Sequence, residues 1–220
     1  MPRGAVMMDA MTRSPPRRTY HHGDLRQALL DAGIALARDG GPDAVVLREA
    51  TRRAGVVPNA AYRHFANRHA LLQAVRAAAL SALAVAMEKE LTRLRRGRHG
   101  ADHARAGLRA IGTAYLRFAQ SEPGLFRMAF AVPGDAETTT NPAMAGKTGL
   151  NPFQLLGTAL DRLVEAGVLP AERRSGAEYL AWSAVHGLAM LVQEGPLRRL
   201  TRAQVREIER RLLDMVEKGL

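Results

Sequence analysis

Apolar residues recur at intervals of three and four from Leu25 to Val216, and no stretch carries a competing strand signal. That spacing places side chains along one face of an α-helix, so the chain is expected to be all-α, with about nine helices. Glycine and proline mark the boundaries. Leu25, Leu29, Ala32 and Leu36 predict a first helix over 24–39, stopped by Asp39-Gly40-Gly41. A short second helix carries Leu47, Ala50 and Ala54 and ends at Gly55. Pro58 suits the first turn of a third, in which Ala61 and Phe65 share a face. A long helix follows from about 68 to 96, before Gly97. Further helices are expected over 101–121, 123–131, 151–166 and 171–194. The last opens on the capping box of Thr201 to Gln204. Residues 132–149 hold almost no large apolar side chain, so they read as a long loop, mobile or a lid.

The second and third helices, joined by Gly55 and Val56, have the dimensions of a helix-turn-helix. Such a unit offers its second helix to the DNA major groove. In the stretch GVVPNAAYRHF, residues 55–65, Asn59 is then placed to reach a base edge. Ala60 and Ala61 let the backbone come close, and Tyr62, Arg63 and His64 can donate to phosphates. Phe65 turns back into the core. Arg48, on the preceding helix, is a further candidate contact. Charge placement agrees with this reading. The chain carries a net charge of +11, and residues 1–70 hold 11 arginines against 6 carboxylates, a higher basic excess per residue than in the remainder. Arg17 and Arg18, at the end of an arm over residues 1–18 that is expected to be disordered, are placed to reach the flanking backbone or minor groove.

The stretch from Tyr20 to Val75 resembles the DNA-binding domain of the tetracycline-repressor family of bacterial transcriptional regulators. The segments LREATRRAGV and YRHFANRHALL carry most of that likeness. Farther on, EPGLFRMAF (122–130) and WSAVHGLAMLVQEGPL (182–197) resemble the branch whose C-terminal domain bears a Trp-x-x-x-His-Gly motif. The chain departs from the family where a Ser or Thr usually caps helices two and three. It has Val46 and Val57 there, Thr51 for a small Ala, and Ala61 for a Leu.

The resemblance implies a DNA-binding domain over residues 19–67 and a ligand-binding and dimerisation domain over 68–220. It implies an inducer pocket on helices that here carry Tyr115, Phe118, Phe126, Met128, Phe130, Phe153 and Leu156. It also implies a homodimer through the last two helices. The residues point the same way, because 177–192 is apolar nearly all round, whereas a helix covering one core needs only a single stripe. Val205, Ile208, Leu212 and Val216 form a stripe on the final helix. His186, four residues from Trp182, is expected to be structural.

The expected function is therefore a transcriptional regulator, a repressor that leaves a pseudo-palindromic double-stranded operator when a small, largely apolar effector binds. A ligand-independent architectural DNA binder and a ligand-responsive activator are the alternatives. Enzyme motifs are missing. There is no Gly-x-Ser-x-Gly, no glycine-rich phosphate loop and no cysteine. His99 with His103, and His21 with His22, lack the carboxylates of a metal site, so no metal or cofactor is expected. The first residues lack an apolar run of signal-peptide length, and zero cysteine fits a reducing cytoplasm. No membrane association is expected.

Overall fold

The computed structural model describes residues 22–94, 100–131 and 141–220. Arg17, Arg18, the rest of the arm over 1–18, His21 and His99 lie outside the described residues. Among the described residues every regular element is helical. There are nine α-helices: α1 His22–Gly40, α2 Leu47–Ala54, α3 Pro58–Ala61, α4 Arg68–Thr92, α5 Ala101–Ser121, α6 Pro123–Phe130, α7 Pro152–Glu165, α8 Ala177–Gln193 and α9 Arg202–Gly219.

Local chemistry accounts for most of the boundaries. The Asn67 side chain accepts from the Ala70 amide and opens α4. Asn151 with Gln154, and Thr201 with Gln204, form reciprocal capping boxes at α7 and α9. Such caps are worth about 1 kcal/mol each. The α2 and α3 helices are different. Their cap residues, Val46 and Val57, make no side-chain cap bond, and both are exposed.

α1, α2 and α3 pack around Leu29, Val45, Ala50, Ala61 and Phe65, all nearly inaccessible. Burying Phe65 alone contributes about 1.5–3 kcal/mol. α4 runs from this cluster into the C-terminal part and packs against α1, α5, α6 and α7. Its start is tied to the N-terminal unit by Arg68, whose Nε donates to the Val45 carbonyl at 2.8 Å and whose Nη2 donates to that of Pro42 at 2.9 Å. By length and composition α4 is apolar enough to cross a membrane. Its apolarity has another cause here, because neighbours on several sides bury Leu71, Val75, Ala79, Leu83 and Met87 together with the polar Arg76 and Glu88.

Three expected elements are drawn differently by the structure. The long helix ends at Thr92 rather than near 96. The helix expected over 171–194 is broken, with a short 3-10 turn at Ala171–Arg173 and α8 beginning only at Ala177. Gly176 sits between them at φ 76°, ψ 1°, a left-handed conformation that favours glycine and cannot continue a helix. Finally, the second part of the loop expected over 132–149 is pinned. Met144 is buried, and the Glu88 carboxylate of α4 accepts from the Lys147 amide at 2.9 Å, the Thr148 amide at 2.8 Å and the Thr148 hydroxyl at 2.6 Å. Burial alone would raise the Glu88 carboxyl, but the hydrogen bonds from Thr148 and Lys147 outweigh it and hold the group below the usual carboxylate range. A Cβ at Gly146 would lie 2.5 Å from that carboxylate and would push it from its place.

Candidate functional site

The N-terminal face is built by a very short helix. α3 covers only Pro58–Ala61, and Tyr62, Arg63 and His64 follow it as a turn closed by bonds from the His64 and Phe65 amides to the Ala61 carbonyl. One helical turn therefore carries Asn59, and the next residues hang from its end. Asn59, Tyr62 and Arg63 are exposed, Ala60 and His64 half-buried. Ala61 is fully buried and faces the core with Phe65, so it is not a point of close backbone approach to DNA, contrary to the sequence-based expectation. Its partner in the period, four residues on, is Phe65, and that pairing decides its direction.

The cations on this face divide into two sets. Arg52 pairs with Glu49 at 2.6 Å and Arg53 with Asp39 at 2.6 Å. Arg48 and Arg63 are exposed and have no carboxylate partner among the described residues. Unpaired exposed guanidinium groups are the ones free to neutralise phosphate. The exposed apolar cap Val46 leaves the first amides of α2 without a side-chain acceptor. An anion can take that place.

The second feature is a cavity of about 450 Å³ in the C-terminal part. α4 contributes Arg76 and Leu80, α5 Ile111 and Tyr115, α6 Phe130, the start of α7 Phe153 and Leu156, α8 Trp182 and His186, and α9 Leu213. The volume lies in the range of small-molecule sites. Its aromatic walls are braced ring on ring. Phe130 lies 4.9 Å from His186 and 5.1 Å from Phe126, and Phe153 lies 6.1 Å from Trp182.

A polar relay crosses one wall. The Trp182 indole N–H donates to the Tyr115 hydroxyl at 3.1 Å, and that hydroxyl lies 2.7 Å from Nδ1 of His186. Burial pushes the Tyr115 hydroxyl up, so it keeps its proton, and burial pulls His186 down from its usual value, so it is neutral at pH 7. The indole N–H can only donate, so the hydroxyl accepts from Trp182 and shares one proton with Nδ1 of His186, in the direction that the imidazole tautomer sets.

The structure brings together Tyr115, Phe130, Phe153 and Leu156 in this cavity. It does not bring Phe118, Phe126 or Met128 there, and this corrects the set implied by resemblance. Phe126 is fully buried behind Phe130. Met128 is two residues from both, about 200° round the helix, and points the other way. Phe118 is buried three residues beyond Tyr115, off the cavity wall. Sequence reasoning missed Arg76, Ile111 and Trp182 as lining, and assigned His186 a structural role without a cavity. The Trp-x-x-x-His spacing was the available signal, since residues four apart share a face.

The cavity and the N-terminal face meet through α6. Phe130 lines the cavity, whereas Gly124, near the other end of the same eight-residue helix, lies against the last turn of α1. A Cβ on Gly124 would sit 2.1 Å from the Ala37 carbonyl oxygen, so only glycine allows this approach. Arg38 of α1 also donates to Glu122 at 3.0 Å, just before α6.

On the last helix Val205 is buried, while Ile208, Leu212 and Val216 are half-buried and pack against the chain's own core. The apolar surface left open belongs mainly to α8, with Tyr179, Leu180 and Leu191 at 44%, 65% and 44% exposure, joined by Met215 of α9.

Comparison with known proteins agrees with both features. Residues 29–75 match a family described as bacterial regulatory proteins, tetR family, and residues 108–216 match one described as tetracyclin repressor-like, C-terminal domain. Among solved structures, a protein with unknown function from Rhodococcus sp. RHA1 is 28% identical, with a TM-score of 0.71 over 93% of this chain and 99% of that one. The TetR family transcriptional regulator PfmR from Thermus thermophilus is 20% identical, with a TM-score of 0.56 over 89% and 96%. FadR from Bacillus subtilis, in complex with stearoyl-CoA, is 11% identical, with a TM-score of 0.63 over 88% and 98%. No curated protein matches. The chain belongs to the tetracycline-repressor family. It is a ligand-responsive, DNA-binding transcriptional regulator with an N-terminal helix-turn-helix and a helical C-terminal domain.

Proposed function

We infer that this protein is a homodimeric repressor of the cytoplasm, released from a pseudo-palindromic operator by a small, largely apolar ligand held in the C-terminal cavity. One observation carries the reading: α6 touches the cavity at Phe130 and α1 at Gly124. A helix of eight residues moves as a rigid piece, so a ligand that displaces Phe130 displaces the contact with α1. The ligand shifts the equilibrium only as far as it prefers the DNA-incompetent arrangement, and a hundredfold loss of operator affinity needs about 2.7 kcal/mol of coupling. The FadR complex with stearoyl-CoA supports a ligand-holding role for this fold.

On the operator, Asn59 reads a base edge, while Arg48, Tyr62, Arg63 and His64 hold phosphates and Arg17 and Arg18 extend the contact. Ala60 keeps the approach close. The two reading helices of the dimer stand about one turn of DNA apart, 34–36 Å. Dimerisation uses α8 and α9, and on α8 Leu180, Ser183, Gly187 and Leu191 follow helical spacing. A Cβ on Gly187 would meet nothing within 4 Å in its own chain, so this small residue serves a neighbour from outside it.

Selection from a random DNA pool supplies the operator, and anisotropy of the labelled duplex across a small-molecule library supplies the effector. The expected result is a pseudo-palindrome whose affinity falls with an apolar compound, with DNA weakening that compound's binding by the same factor. Compounds that occupy the cavity yet leave operator affinity unchanged would refute the switch.

A further inference from the structure

The cavity holds one charge that its walls do not balance. Arg76 of α4 is only 9% exposed and lines the cavity. Its Nε donates to the Ala129 carbonyl at 3.2 Å, and it makes no ion pair with any carboxylate among the described residues. The other charged side chains at the cavity are ion-paired. Arg109 donates to Asp214 at 2.5 Å and to Glu217 at 2.8 Å. Burial pulls the Arg76 guanidinium down from its usual value, but arginine remains protonated in proteins. Among the described residues the Ala129 carbonyl is its one hydrogen-bond acceptor, and a leucine or methionine would fill the same space without the cost of taking a cation from water.

We propose that the effector is an amphipathic monocarboxylate whose head group pairs with Arg76 and whose apolar body lies among Phe130, Phe153 and Trp182. The inference deepens the ligand-switched reading above and rests on it. With Nε engaged by Ala129, the two Nη amines are the donors left, and together they match the two oxygens of one carboxylate. A single negative charge is what one arginine neutralises. A dianionic phosphate would leave a charge unpaired in an apolar chamber. The start of α7 offers no second anion site, because Asn151 caps it and Pro152 has no N–H. The head group is also read at the right place for a switch, since Arg76 is the residue whose side chain joins α4 to the last turn of α6. A carboxylate on its Nη amines shares the guanidinium that holds Ala129 through Nε, so the head group bears on the last turn of α6.

The lone tryptophan, Trp182, is in the cavity wall, so its fluorescence reports occupancy without any DNA. The full-length protein is titrated with matched pairs that share a body and differ in the head: octanoate against octanol, and phenylbutyrate against phenylbutanol. The expected result is that each acid binds about tenfold or more tightly than its alcohol. Arg76→Met should erase that preference, so that each acid binds no more tightly than its alcohol, and Arg76→Lys should keep part of it. If the alcohols bind wild type as tightly as the acids, or the preference survives in Arg76→Met, the carboxylate assignment is wrong and the cavity reading stands. If neither acids nor alcohols perturb Trp182, the cavity is not a ligand site and both readings fall.

Discussion

The contact between Gly124 and α1 offers the sharpest test of how the two parts of the molecule communicate. Gly124→Ala adds one methyl group at a point 2.1 Å from the Ala37 carbonyl oxygen and 2.6 Å from that of Arg38. Ordinary contacts begin near 3.4 Å, so α6 and α1 must part by about 1.3 Å at this point. Both obstructing atoms are backbone, and no side chain can rotate away to make room. Overpacking of this kind costs about 1–3 kcal/mol. In a chain of this length each kcal/mol lowers Tm by roughly 2–4 °C. The displaced helix also mimics what a ligand is expected to do, so operator affinity should fall by roughly 5- to 150-fold, the usual span of allosteric coupling. Thermal unfolding followed by circular dichroism reads the first effect, and anisotropy of a labelled operator at a temperature where the variant is folded reads the second. A normal Tm would show that the packing argument is wrong. A lowered Tm with undiminished operator affinity would show that the α1–α6 junction holds the fold together without transmitting anything.

Asn59→Ala should cost about 1–3 kcal/mol of operator affinity and relax preference at one position per half-site; unchanged preference across a panel of operator variants would remove the base-reading role. Gly187→Leu should give a folded protein that sediments as a monomer, because its side chain meets open space in its own chain and a partner's α8 in the dimer, and a dimer of unchanged affinity would move the interface elsewhere. Glu88 has a depressed folded-state pKa, so its contribution is complete above the ordinary carboxyl value of about 4.5 and is lost as pH falls through the lower folded value. Amide exchange at Lys147 and Thr148 should therefore be slow at pH 7 in wild type, fast in Glu88→Gln, and alike in the two at strongly acidic pH, and equal exchange at pH 7 would dismiss the anchor.

What the sequence determined by itself is the set of helices and most of their limits. α5 lies where the spacing put it, over 101–121, and α9 opens on the capping box that Thr201 announced. These signals are local. A cap bonds to an amide three residues away and a helical face repeats within a turn, so both can be read from neighbours in the chain. The helix-turn-helix was legible for the same reason, together with its likeness to a known family. Direction was decided only by the tertiary structure. The stripe on α9 packs against the chain's own core because α5 and α8 lie beneath it. Phe126 and Phe130 share one helical face with their rings edge to face, yet Phe126 is fully buried and Phe130 is cavity wall. Arg76 sits in an apolar helix with no local feature to mark it. Its isolation from carboxylates arises from the helices packed around it, at separations of tens of residues, and no period along the chain records that.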